Sequence, residues 1–424
     1  MKKKNEKKKL SVKKKQWENH GDIKRYSIDE IQSRFTRLRN RLFLPSYLRQ
    51  MKKLSIGSLT GGNKVSLIHN GDQCFEQFIK AMRSAKVSIN LETFIFNSDE
   101  VGWEIARLLV KKSKKGVEVN VIYDAWGCRL TSPSIFSFLT ENGVEVVEYH
   151  PFWPWRKYWN PFQRDHRKIL VVDGKTAFVG GINIGKEYAG EKFNGEGWRD
   201  THLRIDGPAV KYIQFYFIEI WYRNGGAILD QFRYFPAVRS TGKKLMIVLG
   251  SKTRKKIRPI NESYLSAINC AGNSIFITNA YFVPTQNLNR ALIHAARRGV
   301  DVRLMLPGKS DVPPVRYASR YKYKKYLKNG IRIYEYGKSI LHAKTAVIDG
   351  IWSTVGSTNL DGLSFKKNLE INVVVLDQLF GEEMEKTFCN DIEASNELTF
   401  DQWEKRSFLN YILEWFWYHF RNFM

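Results

Sequence analysis

The sequence predicts an α/β fold built as two similar lobes. Three observations carry that prediction. Runs rich in β-branched and aromatic residues alternate with helical stretches. The alternation occurs twice along the chain. Each copy also contains the same spaced set of His, Lys, Asp, Gly and Asn.

In the first copy, Val87-Ser88-Ile89-Asn90-Leu91-Glu92-Thr93-Phe94-Ile95 reads as a strand, and its counterpart is the run Ser274 to Phe282. A helical stretch follows each run and closes on cations and a glycine, Lys114-Lys115-Gly116 and Arg297-Arg298-Gly299. Those residue types suit the negative end of a helix dipole and a left-handed cap. Strands Val117 to Tyr123 and Val300 to Leu306 come next. A further helix–glycine–strand unit repeats at Asn142-Gly143 and Asn329-Gly330. Strand–helix alternation of this kind implies much parallel pairing, and the duplication implies a pseudo-twofold axis with a shared interface. The expected organisation is a basic N-terminal arm and helix over 1–60, a first lobe over 61–240, a second over 241–395, and a C-terminal amphipathic helix within 396–424. Gly57, Gly61 and Gly62 read as a flexible lead into the first lobe.

Composition limits the function. Of 424 residues, 43% are hydrophobic and 26% charged, which excludes wholesale disorder. Lys and Arg number 69 against 42 Asp and Glu, a net charge of +27 that draws the chain to an anionic partner. The 12 Trp and 20 Tyr favour a membrane surface over a plain nucleic-acid groove. Cys74, Cys128, Cys270 and Cys389 lie far apart without metal-ligand spacing, so reduced, mostly buried thiols in a cytosolic compartment are expected. No signal peptide is predicted. No run of about 20 apolar residues predicts a membrane span. The first 15 residues are mostly lysine. They read either as a solubilising tail or as an arm attracted to anionic lipid.

The chemistry lies in two octapeptides, His166-Arg167-Lys168-Ile169-Leu170-Val171-Val172-Asp173 and His342-Ala343-Lys344-Thr345-Ala346-Val347-Ile348-Asp349. Both read H-x-K-x4-D, and Gly180 and Asn183 match Gly356 and Asn359 at the same offset. The apolar tails argue for strands, on which residues two apart share a face, so each His projects with its Lys. A single HxK means little, whereas two complete copies in register are specific. Two His and two Lys converging across an interface suit phosphodiester chemistry. One imidazole attacks phosphorus; the other gives a proton to the leaving oxygen and takes one from the acceptor. Lys168, Lys344, Asn183 and Asn359 would bind the non-bridging oxygens, and no metal or other cofactor is needed. Each histidine wants a carboxylate on its second nitrogen, and Asp200 and Glu370 are the favoured pair. Asp173 and Asp349 complete the motifs and count with the catalytic set. Each precedes a glycine at a turn, so a structural role through local hydrogen bonds is favoured for them.

The paired motifs resemble the phospholipase D superfamily. Over most of the chain the sequence is similar to bacterial cardiolipin synthases of the type without N-terminal transmembrane helices. Leu91 to Ile95, His166 to Asn183, Asn279 to Phe282, Leu341 to Leu360 and Asn368-Leu369-Glu370 carry the resemblance. It implies two phospholipase D-like lobes, each a mixed β-sheet flanked by helices, with the active site at the pseudo-twofold interface. It also implies transfer of a phosphatidyl group between two phosphatidylglycerol molecules, releasing glycerol, with His166 as nucleophile and His342 as acid and base. The nearly symmetric motifs do not themselves order the two histidines.

Superfamily motifs fix the reaction type rather than the acceptor. A hydrolase would use the same residues with water, and a nuclease of the superfamily would share the charge. Two segments favour lipid. Pro151 to Phe162 sets Trp153, Trp155 and Trp159 among basic residues just before the first motif. It reads as a headgroup-depth loop, against base stacking or a loop folded on its own lobe. Phe408 to Met424 places Asn410, Glu414 and Arg421 on one stripe, with Trp415 and Phe416 among the apolar remainder. It reads as an interfacial helix, against one docked on the protein's own core. The expected partner is an anionic phospholipid membrane containing phosphatidylglycerol, met peripherally at its cytoplasmic face. Neither nucleic acid nor an obligatory protein partner is expected.

Overall fold

The computed structural model describes Tyr47, residues 59–251 and residues 258–421. Apart from Tyr47, the lysine-rich arm and the rest of residues 1–58 lie outside the described residues. The first lobe contributes β1 (Thr60–Ile68), β2 (Ser88–Thr93), β3 (Glu118–Asp124), β4 (Glu145–Tyr149), β5 (Ile169–Val172), β6 (Thr176–Gly180) and β7 (His202–Asp206). The second contributes β8 (Lys244–Gly250), β9 (Ser274–Asn279), β10 (Asp301–Pro307), β11 (Arg332–Tyr336), β12 (Lys344–Ile348), β13 (Trp352–Gly356), β14 (Ile371–Leu376) and β15 (Ser395–Leu398).

The order across the first lobe is β4-β3-β2-β5-β6-β7-β1, and across the second β8-β14-β13-β12-β9-β10-β11-β15. The duplication is therefore topological as well as sequential. Each lobe pairs three strands in parallel, β2-β3-β4 and β9-β10-β11, and completes its sheet with antiparallel neighbours. The two sheets join where β1 pairs antiparallel with β8, giving one sheet of 15 strands among the described residues.

That junction corrects the reading of the glycines. Gly61 and Gly62 are part of β1 rather than a flexible lead, and the register shifts between Thr60 and Asn63. Gly62 has φ +82, and a Cβ there would lie 2.4 Å from Ser240 Oγ. Buried Asn63 fixes the irregularity: its Nδ2 donates to Thr60 O at 2.8 Å and its Oδ1 accepts from Ala209 N at 2.8 Å.

The motif strands are buried on both faces, which explains their unbroken apolar runs. Leu170 and Val172 face a first-lobe core with Ile89, Leu91 and Phe178. Ile169 and Val171 face a core shared with Met246, Val248, Val347 and Val373 of the second lobe. Helices Val210–Arg223 and Gln378–Glu393 cover that shared face through residues such as Ile213, Phe380 and Phe388. At the far edge, β15 pairs with β11 and carries the second sheet to Leu398, past the expected boundary at 395. Helices Phe400–Glu404 and Phe408–His419 follow it.

Candidate active site

The histidines sit just before their strands, where the two lobes exchange backbone hydrogen bonds. His166 N–H donates to Leu369 O at 2.9 Å, and Leu369 N–H to Arg164 O at 2.8 Å. Reciprocally, His342 N–H donates to Arg199 O at 2.8 Å, and Arg199 N–H to Ile340 O at 2.8 Å. Each histidine is thereby laid beside the acid of the opposite lobe. His166 Nδ1 lies 3.1 and 3.2 Å from the two Glu370 oxygens. His342 Nδ1 lies 2.6 Å from Asp200 Oδ2. With both Nδ1 atoms engaged, Nε2 is the nitrogen each ring has left for chemistry.

The two acids are held differently. Ser357 donates its hydroxyl to Glu370, and Glu370 N–H donates to Ser251 Oγ at 3.2 Å. The matching position in the first lobe is Gly181, where a Cβ would lie 2.2 Å from Asp200 Oδ1. Thr201 N–H donates to that oxygen at 2.6 Å. Burial raises Glu370 well above the usual carboxylate range. Burial would also raise Asp200, but Lys344 and His342 outweigh it and hold the group below its ordinary value.

Lys168 and Lys344 are fully enclosed, each donating to the carbonyl of its own motif histidine, His166 O at 2.7 Å for Lys168. Burial pushes Lys168 down to about 7 and Lys344 to about 8. Burial, then the charges of Lys168, Lys344 and His342, holds His166 well below its ordinary value. Burial and Lys344 lower His342 against the opposing pull of Asp200. An arriving phosphodiester anion would reverse part of these shifts, because it supplies the charge the lysines lack.

Asn183 and Asn359 are buried in the same region. Asn183 Oδ1 accepts from Ile95 N–H at 3.2 Å. The Asn183 amide faces the Tyr188 hydroxyl, and Asn359 Oδ1 has no hydrogen-bond partner among the described residues.

Asp173 and Asp349 do not join the site, which corrects their place in the catalytic set. Five residues of strand at ~3.3 Å each put Asp173 about 16 Å from Lys168. Asp173 Oδ1 accepts from the backbone N–H groups of Lys86, Val87 and Ser88 at 3.1, 2.7 and 3.0 Å. Asp349 accepts from Gly272 N–H through Oδ2 at 2.9 Å and from Asn273 and Ser274 N–H through Oδ1 at 2.7 and 2.9 Å. Both have φ +53 at the hairpin turn, a conformation that Asp tolerates better than most residues. They fasten the starts of β2 and β9.

Four aromatic side chains that motif spacing did not single out surround the histidines. Phe94 packs edge-on to His166 with centroids 5.0 Å apart, and Lys168 Nζ stands 5.2 Å from the same ring. Tyr188, Trp198 and Tyr281 surround His342 at 5.2, 5.9 and 6.3 Å. A buried charge cluster backs the first motif alone. Arg167 lies 3.7 Å from Glu92 and donates to Tyr216 O and Ser251 O, both at 3.2 Å. Asp124 Oδ2 accepts from Asp165 N–H at 2.8 Å. Its only signal in the sequence is Arg167 at the variable position of HxK, where the second copy has Ala343.

The aromatic loop connects to the site through Trp126 and through Arg164, which donates to Pro161 O at 3.1 Å. Phe152 stacks on Trp126 at 5.7 Å, and the adjoining Gly127 packs on Phe94. Trp153, Trp155 and Trp159 are exposed, and Trp153 stacks on Trp155 at 5.0 Å. The loop borders a groove of about 750 Å³ floored by Tyr123, Phe136 and Val146.

The C-terminal helix is oriented polar side inward. Glu414 is its one buried residue and pairs with Arg320 at 3.3 Å and Arg406 at 3.1 Å. The polar stripe is thus, at Glu414, the docking face, while Phe408, Leu409, Ile412, Trp415 and Phe416 are exposed. No helix among the described residues is long and apolar enough to cross a membrane.

A duplicated α/β sheet with two HxK motifs meeting at its dyad defines a phospholipase D-superfamily protein. The chain matches the family model described as "Cardiolipin synthase, PLD-like domain" over residues 78–221 and 264–392, and it belongs to that family. It is 36% identical over 354 residues to a cardiolipin synthase of Listeria monocytogenes, covering 82% of this chain and 73% of the relative. It is 35% identical over 390 residues to cardiolipin synthase 2 of Bacillus anthracis, covering 89% and 74%. The fold is similar to the crystal structure of phosphatidylserine synthase from Haemophilus influenzae, with TM-score 0.63 and 15% identity over 85% of this chain and 93% of that one. The protein is an enzyme of the phosphatidyltransferase type, and its substrates are phospholipids.

Proposed function

We propose that this enzyme transfers a phosphatidyl group from one phosphatidylglycerol to another, making cardiolipin and free glycerol. The observation that carries the reading is the crossed pairing of His166 with Glu370 and His342 with Asp200, beside two buried lysines.

His166 Nε2 attacks phosphorus as a neutral imidazole, and the P–O bond to the glycerol headgroup breaks. The low proton affinity of His166 supports this role for it. His342 Nε2–H gives its proton to the departing oxygen. A hydroxyl of the second phosphatidylglycerol then returns a proton to His342 while its oxygen bonds to phosphorus, and the P–N bond to His166 breaks. Lys168, Lys344 and the two asparagine amides hold the phosphate oxygens through both steps. Exposed Trp153, Trp155, Trp159, Trp415 and Phe416 support a peripheral seat on an anionic bilayer, which we assign to its cytoplasmic face.

Purified protein given phosphatidylglycerol liposomes, with and without divalent ions, tests the reading by mass spectrometry of the lipids. Cardiolipin and glycerol, absent with His166→Ala, are expected. Phosphatidic acid as the sole product would overturn transfer in favour of hydrolysis.

A further inference from the structure

The two lobes present matching backbone positions to the site with unlike side chains. The second residue past β2 is Ile95, and the second past β9 is Tyr281. The fourth residue past β3 is Cys128, and the fourth past β10 is Asp311. In the first lobe Cys128 is buried, with Sγ 3.2 Å from Phe96 N. In the second lobe the Tyr281 hydroxyl donates to Asp311 Oδ2, and the Tyr281 ring stands 6.3 Å from His342. The first lobe folds on the same plan without this pair, so the fold does not require it.

A carboxylate is an odd neighbour for a phosphodiester site. Asp311 is exposed, yet its charge reaches Lys344 and His342, the groups expected to meet an anion. A negative charge there weakens phosphate binding unless it binds another part of the substrate. An ionised carboxylate only accepts hydrogen bonds, and a phenol oxygen both gives and accepts. Together they match a polyol, whose second hydroxyl needs an acceptor beside the reacting one.

We infer that Tyr281 and Asp311 form the subsite that holds the glycerol hydroxyls of the alcohol that enters or leaves at His342, and that they set the enzyme's preference for polyols. This rests on the transfer reading above. During acceptor attack the reacting hydroxyl gives its proton to His342 Nε2, its oxygen bonds to phosphorus and the P–N bond to His166 breaks. Asp311 accepts from the neighbouring hydroxyl and takes no part in the bond changes.

The test offers dioleoyl phosphatidylglycerol vesicles with equal deuterated glycerol and 1-propanol, and reads labelled phosphatidylglycerol against phosphatidylpropanol. Asp311→Asn and Tyr281→Phe should each lower the glycerol-to-propanol ratio about tenfold, the scale of one hydrogen bond to a charged group. A ratio unchanged from wild type, or both products falling in parallel, would overturn the subsite while leaving transfer intact. A wild type that forms cardiolipin but neither exchange product would overturn the subsite alone, and one that forms no cardiolipin either would overturn the transfer reading with it.

Discussion

Glu370 belongs to the second lobe, yet its carboxylate lies 3.1 Å from Nδ1 of His166 in the first. Asp200 and His342 make the reciprocal crossing at 2.6 Å. Each lobe thus supplies a histidine and the acid that orients the other lobe's histidine. Glu370→Gln and Asp200→Asn keep size but replace a carboxyl oxygen facing Nδ1 with an amide that can turn its NH2 toward the ring, so the ring loses the group that fixes its tautomer. Each should lower kcat by about 10²–10⁴-fold with little change in Tm. Near-normal rates measured on phosphatidylglycerol vesicles would remove these acids from the mechanism.

The motif aspartates should behave in the opposite way. Asp173→Ala leaves three backbone N–H groups without their acceptor. We expect a loss of about 1–3 kcal/mol in denaturant unfolding, with the rate per folded molecule close to wild type. Asp349→Ala should match it. A large fall in rate at unchanged stability would return these residues to the catalytic set.

The contrast shows what the sequence made legible. Repeat spacing placed His166, Lys168, His342 and Lys344, because a duplicated motif keeps its offset. Repetition alone sets Asp173 and Asp349 level with them; the glycine after each favours a turn role, and what stays hidden is that the bonds reach residues far back in the chain, Lys86 to Ser88 and Gly272 to Ser274. Strand register was less visible. The sequence runs align Val87 with Ser274, whereas both Ser88 and Ser274 donate to their motif aspartates and are the true equivalents. A one-residue slip changes which side chain faces the site. It is why Tyr281 answers to Ile95 rather than to its neighbour. Helical periodicity places Glu414 on a polar stripe, but it does not show that Arg320 and Arg406 wait beneath that stripe.

The buried lysines make stability and binding depend on pH. Lys168 titrates near 7 in the folded chain and near 10.4 when unfolded. Between those values the unfolded chain binds more protons, so this residue's contribution to stability rises with pH. Lys168→Met removes the cost of burying the charge. Its Tm should exceed that of wild type at pH 6, and the advantage should shrink steadily toward pH 9. Activity should run the other way. As pH rises through about 7 and about 8, Lys168 and Lys344 lose the charge that binds phosphate, so kcat/KM should fall. A Tm difference constant across pH would mean that Lys168 is not held at a depressed value.

The C-terminal helix docks through Glu414 and leaves Trp415 and Phe416 exposed, so docking and the proposed membrane contact can be broken independently. Trp415 and Phe416 are 47% and 40% exposed, whereas the helix is anchored through Glu414 and through Tyr418, which stacks on Tyr321 at 4.3 Å. Burying such a side chain fully is worth about 1.5–3 kcal/mol. Trp415→Ser with Phe416→Ser should therefore cut partitioning onto phosphatidylglycerol liposomes at least about tenfold while leaving Tm near wild type. Glu414→Ala leaves two arginines without their shared carboxylate and should lower stability instead. Deleting residues 404–424 should reproduce the partitioning loss. Unchanged partitioning in both the double variant and the deletion would mean that the bilayer is met elsewhere, with the loop of Trp153, Trp155 and Trp159 as the remaining aromatic surface.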